Sequence, residues 1–136
     1  MTVLRFDILA VERKRSIRKA SLTPKKVAQS IARFASDKKA EDIVILDMRK
    51  VVNFCDYFVL CSGNTDRHVK AIAEGISEGL DEFGIRLSRR QSFKNTTWIV
   101  FDTGDVVTHI FDKPVREFYK LEYLWQDAKK VIWKEN

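Results

Sequence analysis

The apolar positions in the first half of the chain form one periodic segment followed by two short continuous runs. The periodic segment begins at Thr23-Pro24 and has the three- and four-residue spacing of an amphipathic helix. Threonine can cap the free amides of a helix, and proline at the first helical position loses no hydrogen bond. The continuous runs, 43–48 and 57–61, predict buried strands. Because only residues 49–56 separate them, too few for a parallel crossover, we predict an antiparallel pair.

A second apolar stripe runs from residue 69 to residue 83 and predicts another helix. Gly84 follows the stripe, and glycine is the usual residue where a helix ends in a left-handed turn. We expect a short strand at 85–87. Two further strands, 98–101 and 106–111, are separated by four residues rich in Asp and Gly, which predicts a hairpin.

The order of the predicted elements is typical of an α/β domain. Pro114 introduces a last helical segment, 116–125, so the order is helix, two strands, helix, two or three strands, helix. We predict a single domain with a mixed β-sheet of about five strands flanked by helices. This domain spans 23–128. A basic, loosely ordered N-terminal extension at 1–22 precedes it, and a short C-terminal tail at 129–136 follows it.

The net charge of +6 is not spread evenly over the 136 residues. Residues 1–26 contain eight Lys or Arg and two acidic residues, whereas 27–136 contain 17 of each. Within 40–128, 11 basic residues stand against 15 acidic ones. A domain that neutralises nucleic-acid phosphates would carry a basic excess on its own surface. The globular part is therefore better suited to a basic protein as its partner.

The chain offers little sign of a membrane or export signal. No apolar run reaches the roughly 18 residues of a membrane span, so we expect no membrane partner. Residues 1–10 are interrupted by Arg5 and Asp7, which makes them a poor signal peptide. The basic residues at 13–19 leave a mitochondrial presequence open, although Asp7 and Glu12 disfavour it. A cytoplasmic location is the expectation, with mitochondria as the alternative.

Polar residues that suggest catalysis are few, and each has a simpler structural explanation. Ser62-Gly63-Asn64-Thr65 lies where a strand meets a helix, but it lacks the lysine and the glycine pattern of a phosphate-binding loop. Asp102 and Asp105 resemble paired magnesium carboxylates. A nucleotidyl-transfer enzyme would also need a third carboxylate and groups that hold phosphates. We predict that the protein is not an enzyme and has no catalytic residue.

Four residues could be drawn as a zinc set, namely Cys55, Cys61, His68 and His109. None of them forms the close pair, two to four residues apart, that is typical of zinc ligands. The cysteines are more simply two buried thiols in a reducing compartment. We therefore expect neither a metal nor a cofactor.

The last predicted helix has an unusual density of aromatic residues. Within eight residues fall Phe118, Tyr119, Tyr123 and Trp125, beside Leu121 and Leu124. Since successive helical residues turn by about 100°, these side chains cannot share one face. We expect the stripe of Phe118, Leu121 and Trp125 to face the core, and Tyr119 to lie off it. The segment is either buried on two sides or presents an aromatic anchor to a protein partner.

Several short motifs, taken in order, resemble the Iojap-type ribosome silencing factors. They are Cys55-Asp56-Tyr57-Phe58, Ser62-Gly63, Arg67-His68-Val69, Ala71-Ile72-Ala73, Gly104-Asp105-Val106-Val107, and the run from Arg116 to Trp125 with Asp127-Ala128 after it. The similarity extends from about Pro24 to Ala128, nearly the whole globular part. No single motif is diagnostic, but their number and order are specific.

The resemblance implies a bacterial or organellar protein that binds the large ribosomal subunit through the fourteenth protein of that subunit. Its bulk there would block association with the small subunit and repress translation. The resemblance also implies a fold similar to that of nucleotidyltransferases without their active site, and a homodimer of the free protein is left open. The surface used by the family corresponds to Trp98, Asp102, Gly104, Asp105, Tyr119, Leu121, Glu122, Leu124 and Trp125.

Two features depart from the family pattern. The approach to Trp98, residues 89–97, is basic where the family commonly has an acidic or glycine-bearing segment. Ribosomal RNA is therefore an alternative to a protein contact here, with the basic loop 86–94 as the segment that would bind it. Thr103 also stands where the family usually has an aromatic or aliphatic residue. A nucleotidyltransferase-like enzyme and an RNA-binding module remain the alternative functions.

Overall fold

The computed structural model describes residues 22–85 and 97–134. Over these ranges the chain forms four helices and five strands. The helices are α1 (Pro24–Asp37), α2 (Asp66–Glu82), α3 (Lys113–Tyr119) and α4 (Leu121–Leu124). The strands are β1 (Glu41–Asp47), β2 (Tyr57–Gly63), β3 (Trp98–Asp102), β4 (Val106–Asp112) and β5 (Lys129–Val131).

The five described strands form one mixed sheet in the order β3-β4-β2-β1-β5. β1 pairs antiparallel with both β2 and β5, and β3 pairs antiparallel with β4. β2 and β4 are parallel, and the connection between them contains α2 and β3. The predicted α/β class, the mixed sheet of about five strands, the antiparallel β1–β2 pair and the β3–β4 hairpin are therefore confirmed.

Side-chain oxygens cap the first three helices. The Oγ1 of Thr23 accepts a hydrogen bond from the backbone N of Lys26 at 3.2 Å, and Thr65 has the same role at the start of α2. The Oδ1 of Asp112 accepts from the backbone N of Val115 at 2.9 Å at the start of α3. Such caps satisfy amides that have no partner within the helix. They explain why α1 begins where the sequence predicts.

Two glycines mark the ends and contacts of α2. Gly84 has a φ of 71°, the left-handed conformation that favours glycine, and the helix ends just before it, as predicted. Gly79 faces α1, where a Cβ would lie 2.6 Å from the ring of Phe34. α1 and α2 therefore pack closely at this point.

The two faces of the sheet carry separate apolar clusters. Residues alternate between the faces along a strand, and β2 divides accordingly. Tyr57, Val59 and Cys61 belong to the first cluster, which includes buried residues of α1 and α2. Phe58 and Leu60 belong to the second cluster, on the opposite face. The second cluster is covered by α3, α4 and the segment after β1 through Val115, Leu121, Trp125, Met48 and Cys55.

The prediction of one continuous helix over 116–125 is wrong. Lys120 has a φ of 48° and a ψ of 52°, a left-handed conformation that ends α3 and begins α4 in a new direction. The helical periodicity does not continue through this residue. Phe118 is consequently 81% exposed, so the prediction that it faces the core is also wrong.

The end of the described chain adds a strand. Residues 129–131, predicted to belong to a C-terminal tail, form β5 and pair with β1 at Ile45, Leu46 and Asp47. Their composition, Lys-Lys-Val, gives almost no apolar signal for a strand. The basic loop 86–94 and most of the N-terminal extension lie outside the described residues, as does most of the strand expected at 85–87.

Candidate functional site

The partner-binding residues predicted on β3, α3 and α4 converge on the second face of the sheet. Trp98 lies in β3 and packs against the second cluster, and Asp102 shares its face by strand alternation. Leu121 and Trp125 follow α3 in the chain and pack against the same cluster. Tyr119 then contacts Trp98 directly. The structure thus brings together residues separated by more than twenty positions in the sequence.

Trp98 is held in place by aromatic neighbours. Its ring centroid lies 4.8 Å from that of Tyr119 and 5.1 Å from that of Phe111. Its indole Nε1 donates a hydrogen bond to Nδ1 of His109 at 3.1 Å. Because the N–H already has an acceptor, Trp98 offers a partner the half-exposed surface of its ring rather than a free donor.

His109 lies beneath this surface as a neutral imidazole. Burial lowers its pKa from 6.5 to about 4. Since Nδ1 accepts from Trp98, the ring proton is on Nε2, which is buried without a hydrogen-bond partner among the described residues. His109 therefore supports Trp98 and does not act as a proton donor at neutral pH.

The side chains around Lys120 provide the exposed part of the site. Tyr119 is 50% exposed and Leu124 is 65% exposed. Leu121 and Trp125 are half-buried, and the Trp125 ring lies 6.1 Å from that of Phe58 in a nearly perpendicular orientation. These side chains are anchored on one side by the second cluster and are accessible on the other.

The β3–β4 turn carries the acidic part of the site. The Oδ1 of Asp102 accepts a hydrogen bond from the backbone N of Gly104 at 2.7 Å, and Gly104 has a φ of 97°. The backbone oxygen of Asp105 accepts from the amides of Asp56 and Tyr57, which joins the turn to the start of β2. The Asp105 side chain is exposed. Asp102 and Gly104 thus have a structural role in the turn, and Asp105 is the carboxylate most available to a partner.

Glu122 makes an internal ion pair. Its Oε1 accepts from Nε of Arg116 at 2.6 Å, and 39% of its side chain is exposed. Arg116 in turn donates from Nη1 to the buried hydroxyl of Ser62 at 2.8 Å. Glu122, which was predicted to contact a partner, therefore already forms an ion pair within its own chain.

Three residues at or near this surface escaped prediction or were assigned wrongly. Phe118 is exposed and lies beside Tyr119, with ring centroids 5.1 Å apart. Phe54, in the segment before β2, is 59% exposed and lies 6.1 Å from Phe58. Arg116 is buried inside α3. The type of a residue alone does not reveal whether its side chain is exposed, and for Phe118 the break at Lys120 was the missing information.

The positions considered for catalysis have structural partners. Ser62 accepts from Arg116, and a Cβ on Gly63 would lie 2.8 Å from the side chain of Val69, so this turn is closely packed. The Nδ1 of His68 accepts a hydrogen bond from the backbone N of Asn64, and its Nε2 lies 2.8 Å from the backbone oxygen of Lys38. Within 22–85 and 97–134, no three His, Cys, Asp or Glu side chains converge as a metal site.

The two thiols and the cations near α3 are also accounted for. Burial, with Asp56 and Asp102 nearby, raises the pKa of Cys55 to about 11, and burial raises that of Cys61 to about 12. A cavity of about 970 Å³ beside α3 is lined by Lys113, Arg116 and Lys120 among others. Each of these cations has a carboxylate partner in Glu41, Glu122 and Glu117 respectively. Neither the thiols nor this cavity has the character of a reactive or phosphate-binding site.

No described helix is long and apolar enough to cross a bilayer. The residues of the site form a surface of exposed aromatic and aliphatic side chains. Carboxylates flank this surface, and the second cluster packs against its inner side. Tyr and Trp of this kind dominate protein–protein interfaces.

Comparisons with known proteins agree on one family. Residues 21–136 match the family model described as "Ribosomal silencing factor during starvation". The ribosomal silencing factor RsfS of Bacillus subtilis is 42% identical over 107 residues, which cover 79% of this chain and 91% of that protein. The chloroplastic protein Iojap of Zea mays is 32% identical over 105 residues, 76% of this chain and 45% of that protein.

Solved structures give the same fold. A crystal structure of a protein from Chromobacterium violaceum has a TM-score of 0.74 at 26% identity and covers 85% of this chain and 95% of its own. A crystal structure from Bacillus halodurans has a TM-score of 0.67 at 36% identity, covering 76% and 94% respectively.

Proposed function

Because this chain belongs to the ribosomal silencing factor family, we propose that it binds the large ribosomal subunit through the fourteenth protein of that subunit. Bound there, it sterically blocks association with the small subunit and thereby represses translation. The site of action is the cytoplasm of a bacterium, in keeping with the bacterial relatives.

The observation that carries the proposal is the docking surface. We use this name for the set Trp98, Asp102, Gly104, Asp105, Tyr119, Leu121, Glu122, Leu124 and Trp125. Tyr119 and Leu124 are at least half exposed although both are large apolar side chains. A protein rarely leaves such side chains together at its surface unless they bind something. Rigid aromatic anchors, backed by a packed cluster, are typical of interface hot spots.

Electrostatics supports a basic protein as the occupant. Asp105 is exposed on the β3–β4 turn. The residues between 40 and 128 carry more acidic than basic groups. Ribosomal proteins that bind RNA are basic, so the two surfaces would attract one another. The basic loop 86–94 is assigned a secondary contact with ribosomal RNA, and self-association of the free protein would occupy the same apolar side chains.

A nucleotidyl-transfer activity is the alternative that the carboxylates Asp102 and Asp105 suggest, and the site argues against it. Asp102 is engaged in its own turn, and no third carboxylate joins Asp102 and Asp105 to form a cluster within the described part of the chain. Incubation with nucleotides and magnesium should give no transfer above buffer. Turnover that disappeared in an Asp105→Asn variant would establish the enzyme instead.

The test of the proposal is a subunit-joining experiment. Purified large subunits are incubated with the protein, small subunits are added, and the particles are separated by sedimentation. The wild-type protein should sediment with the large subunit and leave the subunits apart. Cross-linking followed by identification of the attached ribosomal protein tests the assignment to the fourteenth protein. If the wild-type protein does not bind the large subunit, the proposal is wrong.

Tyr119→Ala is the informative variant. Truncating a central aromatic anchor costs about 2 kcal/mol of binding, which is about a thirtyfold loss of affinity. Lys70→Ala, an exposed residue of α2 on the opposite side of the sheet, serves as the control. Tyr119→Ala should let the subunits join at concentrations where wild type and the control keep them apart. A folded Tyr119→Ala variant that blocks joining as well as wild type would remove this residue from the interface.

A further inference from the structure

α3 turns a charged side chain toward the sheet, where an amphipathic helix would place an apolar one. Arg116 is the buried residue of this helix, and only 9% of its side chain is exposed. Arginine is almost never fully buried unless it is paired, because removing its charge from water is costly. A buried arginine at this position therefore needs an explanation.

The contacts of Arg116 join three separate elements. Its Nη1 donates to the Oγ of Ser62 in β2 at 2.8 Å, and its Nε donates to Oε1 of Glu122 in α4 at 2.6 Å. Ser62 is 1% exposed, so the first contact is fixed within the sheet. Between Arg116 and Glu122 lies Lys120, the left-handed residue at which the helical path breaks. The guanidinium thus spans the break from the inside.

Stability alone does not account for this arrangement. The remaining nitrogen, Nη2, is buried without an acceptor among the residues that the structure describes. An unpaired buried donor is unfavourable, and well-packed apolar residues often replace a buried ion pair without loss of stability. The guanidinium does, however, fix orientation, because its planar fork holds two partners at defined angles. Orientation matters at the break at Lys120, where α4 leaves the path of α3.

We propose that Arg116 is a positioning residue for the docking surface. By holding Ser62 and Glu122 together, it fixes α4 relative to α3 and the sheet, and so sets Leu121 and Trp125 relative to Tyr119. This inference rests on the proposed function and deepens it. Under this inference Glu122 supports the surface from within the protein and does not contact the partner. The buried hydroxyl of Ser62 fixes Arg116 to the sheet.

A double-mutant cycle distinguishes the two roles of Glu122. Arg116→Met, Glu122→Ala and the double variant are compared with wild type for affinity to purified large ribosomal subunits. If Glu122 acts through Arg116, Glu122→Ala should weaken binding about tenfold in the wild type and have almost no effect when Arg116 is already Met. If Glu122 contacts the partner directly, the two losses should multiply. Multiplying losses would overturn the inference.

Further variants separate geometry from charge. Arg116→Lys retains the charge but not the fork, and it should lose affinity about as much as Arg116→Met. Ser62→Ala removes only the hydroxyl and should cause a smaller loss in the same direction. Glu117→Gln is the matched control, since Glu117 lies on α3 and its ion pair within the described part of the chain is with the exposed Lys120, at 3.6 Å. Its affinity should equal that of wild type.

A readout on the free protein completes the test. Amide exchange at residues 121–125 should accelerate in Arg116→Met, while exchange in β2 and α2 stays at the wild-type rate. If Arg116→Met does not fold, the cycle is run with Ser62→Ala and Glu122→Ala, which must again be non-additive. Unchanged exchange at 121–125 would overturn the positioning role. A wild-type protein that does not bind the large subunit, with exchange accelerated in the variant, would instead contradict only the proposed function.

Discussion

Phe118 and Tyr119 are adjacent in the sequence and differ in what they contact. Phe118 is 81% exposed and its ring lies beside that of Tyr119, whereas the Tyr119 ring also packs on Trp98. Phe118→Ala should therefore change the free energy of unfolding by about 0.5 kcal/mol or less, as for other surface substitutions. Phe111→Ala, at a side chain 1% exposed, is the matched comparison and should cost about 3–5 kcal/mol. Urea unfolding measures both. Equal losses would mean that Phe118 is buried in solution.

His109 gives the protein a pH dependence of known sign. Its pKa is about 4 in the folded protein and 6.5 in an ordinary environment, so between these values the unfolded chain binds a proton that the folded protein does not. The contribution of His109 to the free energy of unfolding is therefore fully present above pH 6.5. It is lost as the pH falls toward 4, by as much as about 3 kcal/mol.

His109→Gln retains an acceptor for Trp98 but does not titrate. Between pH 7.5 and pH 4.5, its free energy of unfolding should therefore fall by less than that of wild type, since the carboxylates titrate in both proteins. Parallel curves for the two proteins would show that the imidazole is not buried as a neutral group.

The break between α3 and α4 depends on one left-handed residue, and glycine is the residue best suited to it. A side chain in this conformation costs about 1 kcal/mol, which glycine avoids. Lys120→Gly should therefore be more stable than Lys120→Ala by about 1 kcal/mol. At Glu117, an exposed position within α3, the order should reverse, with Ala more stable than Gly by a similar amount. Thermal melts of the four variants test the reversal. The same order at both positions would show that the helix is continuous.

Elements with a strong periodic pattern or a clear cap could be predicted from the sequence. α1 and α2 carry apolar stripes and begin at threonine caps, and β2 is a continuous apolar run. β5 could not be predicted, because its two exposed lysines give no apolar pattern, although the strand pairs with β1. The break at Lys120 could not be predicted either. Lysine has no local preference for this left-handed conformation, so the sequence carries no sign of it.

The candidate site could likewise be predicted only in part. The similarity of short motifs to the family indicated which residues belong to the site, and the density of aromatic residues indicated its exposed anchors. What each residue does depends on contacts between distant segments. Trp98 contacts Tyr119, and Arg116 contacts Ser62, through a topology that the spacing of residues does not specify.

At the scale of the whole molecule, the two sides of the sheet differ in how completely helices cover them. The first side is closed by α1 and α2, whose inward residues are almost entirely buried. Within the described residues, the second side is covered by short helices and turns. Five of the six large exposed apolar side chains belong to those segments, namely Phe54, Phe118, Tyr119, Tyr123 and Leu124, and the sixth, Ile132, follows β5. A partner that approached the second side would therefore meet both the aromatic anchors and the carboxylates of the β3–β4 turn.

The charge on that side should control how fast the partner is found. Asp105→Lys reverses an exposed charge at the proposed interface, and we expect it to slow association with the large subunit several-fold at low salt. Raising the salt shortens the range of electrostatic attraction, so the defect should shrink. Asp81→Lys makes the same change on an exposed residue of α2, behind the first side of the sheet, and should slow association less. Stopped-flow rates at several salt concentrations and constant magnesium provide the measurement. Equal rates for the two variants would show that attraction is not directed to the β3–β4 turn, and a defect unchanged at high salt would indicate a short-range contact at Asp105 instead.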